Sequence, residues 1–149
     1  MSKKILIAID GSDISTHAMQ ETVKLMKEEQ VQLLILHVVE VHFMFPGIDY
    51  LSLLTHYKKE GQIILENAKK LVTGQALVQC DTKLMEHNLL QGRISEAIVK
   101  EAKSWSADLI ALGTHGRRGF NRLFLGSVAE NTVRIATNPV LLVPPPTIN

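Results

Sequence analysis

The chain has a single cysteine, Cys80, so it cannot close an internal disulfide, which suits a reducing compartment. An excess of charge is also lacking: sixteen Lys and Arg stand against fifteen Asp and Glu, and the net charge of +1 points to no nucleic acid and no anionic membrane as partner. Long hydrophobic runs are missing too. After Lys3-Lys4 the stretch Ile5-Leu6-Ile7-Ala8-Ile9 stops at Asp10, too short for a signal-peptide core and far short of the roughly 18 to 20 residues of a membrane span. A cytoplasmic protein is expected. Internal repeats, linkers and low-complexity segments are absent. So are two nucleotide motifs: the P-loop pattern (Gly, four residues, Gly-Lys-Ser/Thr) and a Gly-x-Gly-x-x-Gly after the first strand.

What is present is apolar patterning that alternates between two periods. With 149 residues, 46% of them hydrophobic, residues 1–149 are expected to form one domain with a sizeable core. Short apolar runs at Lys4 to Ile9, Val31 to Val39, Leu109 to Leu112 and Val140 to Val143 predict strands, and the nearly continuous ones predict a parallel sheet covered on both faces. Ala76 to Glu86 alternates only in part, which predicts a less buried third strand near a sheet edge. Between the strands, helical spacing recurs. Ile14, Ala18, Thr22 and Leu25 run to about Glu29, behind an Asp10-Gly11-Ser12 turn and cap. Leu54, Tyr57, Gly61, Ile64, Leu65, Ala68 and Leu71 run to the Thr73-Gly74 stop. Ile94, Ala97, Ile98, Ala102 and Trp105 follow Gly92, and Val128, Ala129, Thr132, Val133 and Ala136 precede the last strand. Met19 and Met26 fit packing roles. Five alternations predict a doubly wound α/β fold: an open parallel five-stranded sheet, helices on both faces, and ligands bound outside the strand ends where the order reverses.

One stretch stands out chemically. Gly113-Thr114-His115-Gly116-Arg117-Arg118-Gly119-Phe120-Asn121-Arg122-Leu123-Phe124-Leu125-Gly126-Ser127 links the fourth strand to the last helix. Glycines allow positive φ and close approach of a ligand, and the amides of the helix N-terminus attract anions, so phosphate is the expected guest. If the first and fourth strands are neighbours across the switch point, Asp10, at the end of the first strand, faces this loop and can accept hydrogen bonds from ribose or base. Two roles are open to Ser127: a phosphate contact, or the cap of its own helix in a capping box with Glu130. Arg117, Arg118 and Arg122 are either phosphate neutralisers or solvated charges, Arg117 being best placed beside Gly116. His115 is either a pocket wall or a surface residue. His37, Glu40 and His42 do not make a metal site, because strand positions five apart face opposite sides. The apolar segment from Glu40 to Tyr50, with Pro46-Gly47, is a flap, a lid or a dimer contact.

Two residues separate Gly113 from Gly116, and nine more separate Gly116 from Gly126-Ser127. With Ile7-Ala8-Ile9-Asp10-Gly11-Ser12, Leu36-His37-Val38-Val39, Ala107-Asp108-Leu109-Ile110, Leu125-Gly126-Ser127-Val128-Ala129 and Asn138-Pro139-Val140-Leu141-Leu142-Val143, the chain resembles the ATP-binding branch of the universal stress protein family over essentially its whole length. That resemblance implies the strand order 3-2-1-4-5 and an adenine nucleotide, ATP first, with Mg²⁺ as an optional companion. It implies Ala8 and Asp10 at base and ribose, backbone groups of Val38 at the adenine, Leu112, Gly113, His115 and Gly116 around ribose and phosphates, and Gly126, Ser127, Val128 and Ala129 at the phosphate tail. A homodimer through Val140-Val143 is implied as well, and an exposed apolar edge favours it; an unidentified protein partner stays open. No nucleophile, base and orienting group fall together, so a stress-response or signalling module with at most slow hydrolysis is expected, an ATPase or transferase with its acceptor under residues 41–50 being the alternative. Gly126→Val is expected to block phosphate with little loss of fold.

Overall fold

The computed structural model describes residues 2–27, 30–40, 49–74, 78–116 and 124–146. Ten elements follow in order: β1 (Lys3–Ala8), α1 (Asp13–Leu25), β2 (Val31–Glu40), α2 (Tyr50–Val72), β3 (Val78–His87), the 3-10 turn η1 (Leu89–Gln91), α3 (Ile94–Trp105), β4 (Leu109–Gly113), α4 (Ser127–Ile135) and β5 (Val140–Val143). The five strands form one parallel sheet of order β3-β2-β1-β4-β5, the expected doubly wound topology. β1 lies at the centre, in register Ile7↔Ile35 with β2 and Ile7↔Ala111 with β4.

Successive strand side chains point to opposite faces, so a run such as Ile5-Leu6-Ile7 feeds two cores at once. Ile5, Ile7, Leu33 and Ile35 pack under α1 and α2 with Met19, Val23, Leu65 and Val72. Leu6, Leu34, Leu36, Ile110 and Leu112 pack under α3 and α4 with Ile98 and Ala102. β3 is the edge expected from its weak alternation, and the ion pairs Lys58–Glu86 and Lys83–Glu101 lie over it.

Several details differ from the sequence expectation. Helix α1 ends at Leu25, which is 65% exposed, while Ser15, Met19 and Val23 are buried. Ala18 and Thr22 are buried as expected, so the buried face is broader than the expected stripe and only its last residue, Leu25, turns out to solvent. Helix α2 starts earlier than Leu54 because Asp49 caps it, accepting from Leu51 N–H and Ser52 N–H. Its inner end is Val72, not Leu71. Val133 of α4 faces solvent at 47% exposure. Trp105 lies at the margin of the core, with Lys4 Nζ 4.9 Å above its ring and 2.9 Å from its carbonyl oxygen. No helix among the described residues is long and apolar enough to cross a membrane.

Candidate functional site

The carboxyl ends of β1 and β4 meet where the sheet reverses its order. Beyond β1 the chain turns at Gly11, whose φ of 85° is one that glycine adopts without steric cost. Asp10 Oδ1 accepts from Ser12 N–H at 2.9 Å, and Asp10 N–H donates to Ser15 Oγ at 3.3 Å. Ser12 in turn caps α1, its Oγ accepting from Ser15 N–H. These bonds fix the Asp10 carboxylate. A β-carbon built on Gly116 would lie 3.1 Å from Asp10 Oδ2, so the glycine loop after β4 passes directly over the acid. The expected juxtaposition of Asp10 with that loop is present.

Gly126 closes the other side. Its N–H donates to Thr114 O at 2.8 Å, and an added β-carbon would stand 3.0 Å from that oxygen and 3.2 Å from His115 Cα. Here φ is −60°, an ordinary value. Gly126 is thus demanded by close packing of two backbone segments, not by positive φ, and none of Gly113, Gly116 and Gly126 has positive φ. Gly113 also answers to packing, since its β-carbon would meet Ile14 Cγ2 at 3.2 Å. Gly126→Val would consequently deform the loop as well as block a ligand, contrary to the expectation of little loss of fold.

The N-terminus of α4 is the main chemical feature. Its first intrahelical bond runs from Glu130 N–H to Gly126 O, which leaves the N–H groups of Ser127, Val128 and Ala129 ahead of the helical ladder. Gly126 is the N-cap and no side chain caps it. Of the two roles open to Ser127, the capping box with Glu130 is not formed: Ser127 is already the first helical residue, and Glu130 turns outward to Arg134 at 2.8 Å. Helices α1 and α2 and the turn η1 do carry side-chain caps, from Ser12, Asp49 and Asn88.

His115 has a structural task. Its Nε2 lies 2.6 Å from Phe124 O, and a carbonyl can only accept, so Nε2 carries the proton. Thr114 Oγ1, 2.8 Å from Nδ1, then donates to it. The ring therefore joins the two sides of the loop, and Phe124, Thr114 and Ser15 belong to the candidate site although sequence spacing did not single them out; Ser12 caps the first helix as expected. Ala8 and Val38 are half-buried at the ends of β1 and β2, on the α3 and α4 side of the sheet; the Leu112 side chain belongs to the core. Arg117, Arg118, Arg122 and His42 lie outside the described residues, as does most of the 41–50 segment. His37 is buried with Nδ1 2.8 Å from Ile9 O, and no group of metal-ligating residues occurs among the described residues.

The family model described as the universal stress protein family matches residues 1–144. The chain belongs to that family. Among its relatives is universal stress protein YxiE of Bacillus subtilis, 37% identical, with 96% of this chain and 99% of that protein covered. A crystal structure of a universal stress protein family member from Burkholderia pseudomallei is 30% identical with a TM-score of 0.79, covering 95% of this chain and 96% of the other. A family member from Arabidopsis thaliana, solved with AMP bound, has a TM-score of 0.70 at 21% identity, covering 97% and 93%. At that identity the likeness bears on the fold alone.

Proposed function

We propose that this universal stress protein binds an adenine nucleotide, ATP first, across the carboxyl ends of β1, β2 and β4, as a cytoplasmic stress-response or signalling module without rapid turnover. The observation that carries the reading is the uncapped first turn of α4. Three consecutive backbone donors and the positive end of the helix dipole suit a phosphate chain, and no side chain among the described residues occupies them. The acid in that first turn is paired elsewhere: Glu130 is held by Arg134. Asp10, fixed by Ser12 and Ser15, accepts from ribose hydroxyls. Arg117, next to Gly116, adds a guanidinium for the phosphates, with or without Mg²⁺. The AMP of the Arabidopsis protein is in keeping with this assignment.

The same reading includes a homodimer through β5. Ile110 N–H donates to Pro139 O and Thr114 N–H to Val143 O, so the odd-numbered residues of β5 face β4 and the amides of Val140 and Leu142 face the open edge. Val133, exposed on α4, adds apolar surface. Gentle purification, acid extraction and identification of the released nucleotide test the function, backed by calorimetry with ATP. Empty protein that gives no heat with excess ATP, ADP or AMP would refute it.

A further inference from the structure

The β1–β2 ladder ends one bond earlier than its own pattern dictates. In a parallel pair, alternate residues of a strand turn both N–H and C=O toward the same neighbour. Lys3 N–H donates to Gln30 O and Ile9 N–H donates to Leu36 O, so the even-numbered residues of β2 face β1 and the odd ones face β3. The next bond in the series would run from Val38 N–H to Ile9 O. That bond is not formed among the described residues. Ile9 O accepts instead from the imidazole of His37, Nδ1 at 2.8 Å.

We propose that His37 is a positioning residue for base recognition: its ring satisfies the carbonyl that Val38 would otherwise use, and so holds the Val38 amide open at the rim of the nucleotide site. This rests on the nucleotide-binding reading above. Val38 N–H and C=O then face the same opening, a donor and an acceptor side by side. A 6-aminopurine offers an acceptor ring nitrogen next to an amino donor and matches that pair, whereas a 6-oxopurine offers a ring N–H next to an oxygen and does not. Selection among purines follows from that mismatch, because a buried polar group facing the wrong partner stays unsatisfied.

Helix α2 makes room for the ring. Gly61 sits inside a helix of 23 residues, where glycine is less favourable than alanine. A β-carbon there would come to 2.9 Å from His37 Cδ2 and 2.7 Å from Leu84 Cδ1. The glycine that looks like a weak point in the sequence is the seat of the imidazole.

The test compares the wild-type protein with His37→Leu and His37→Asn, whose amide nitrogen can reach the same carbonyl. Hydrogen exchange, followed by NMR without nucleotide, should show the wild-type Val38 amide exchanging at least about 100-fold faster than the ladder amide of Leu36. In His37→Leu it should slow toward Leu36 as Ile9 O captures it. Calorimetry should show the preference for ATP over ITP falling about tenfold in that variant, with inorganic tripolyphosphate bound as before, and His37→Asn restoring both. Gly61→Ala, which keeps the imidazole but displaces it, should give the same losses in milder form even if His37→Leu fails to fold. A wild-type Val38 amide as protected as that of Leu36, or an unchanged ATP to ITP ratio in His37→Leu and Gly61→Ala, overturns the proposal. Wild-type protein that binds no nucleotide would instead sink the functional reading, while amide exchange would still decide what His37 does.

Discussion

Replacing Gly126 by alanine tests how the phosphate site is built. The new β-carbon would sit 3.0 Å from Thr114 O and 3.2 Å from His115 Cα, both backbone atoms that cannot swing aside as a side-chain tip would. Favourable contacts of a methyl group lie near 3.5 to 4.0 Å, so the two segments must part by a few tenths of an ångström. That separation strains the Gly126 N–H bond to Thr114 O and shifts the first turn of α4, where the phosphate donors lie. Overpacking of this kind costs about 1–3 kcal/mol, which for a chain of this size lowers Tm by about 3–10 °C. Displacing one or two charge-assisted hydrogen bonds weakens ATP by about 10- to 100-fold. Calorimetric titration with ATP and with adenosine separates the two effects, since adenosine has no phosphate to lose. ATP affinity within about twofold of wild type, or an equal loss for adenosine, would show that phosphate is not held at this turn.

Three further outcomes are expected. Asp10→Ala should reduce ATP affinity by about 5- to 30-fold, as expected for a charged hydrogen-bonding partner, and shrink the preference for ATP over its 2′,3′-dideoxy analogue; competition titration measures both, and an unchanged preference would remove Asp10 from the ribose. Leu142→Pro deletes an edge-facing amide of β5 without touching the bonds to β4, so light scattering should report a monomer with unaltered circular dichroism, and a persistent dimer would place the interface elsewhere. Burial raises the Cys80 thiol above its ordinary pKa, Lys69 opposing and Asp81 adding to the shift. The folded state therefore disfavours thiolate: stability is full below the unfolded pKa of the thiol and declines as pH rises from that value through the folded one. Labelling by a disulfide reagent near pH 8 should be slower in the native than in the unfolded chain, and equal rates would contradict the burial.

The residues themselves made much of this molecule legible. Unbroken apolar runs such as Ile5-Leu6-Ile7 can only be strands covered on both faces, and regular alternation with helical stripes leaves the doubly wound sheet as the economical arrangement. Asp10, Gly113, Gly116 and Gly126 were marked by spacing and residue type, because few chemistries use an acid after one strand and a glycine loop after another. Helix ends and faces were less legible: Leu25 and Val133 fit a helical stripe yet are exposed, since period alone does not say which arc meets the sheet. The role of Ser127 was left open for a related reason. Ser127 and Glu130 have the types and spacing of a capping box, but the box also needs a backbone that starts one residue later than this one does.

The sequence by itself determined the order of strands and helices along the chain and the turn residues that follow the first and fourth strands, because patterning and turn chemistry are local properties of the chain. Only the tertiary structure decided why particular glycines are glycines and what particular histidines do. Gly126 answers to Thr114 and His115, Gly61 to His37 and Leu84, and His37 to a carbonyl 28 residues away. These are matters of distance between segments remote in the chain, and no local pattern encodes the room that one backbone leaves for another.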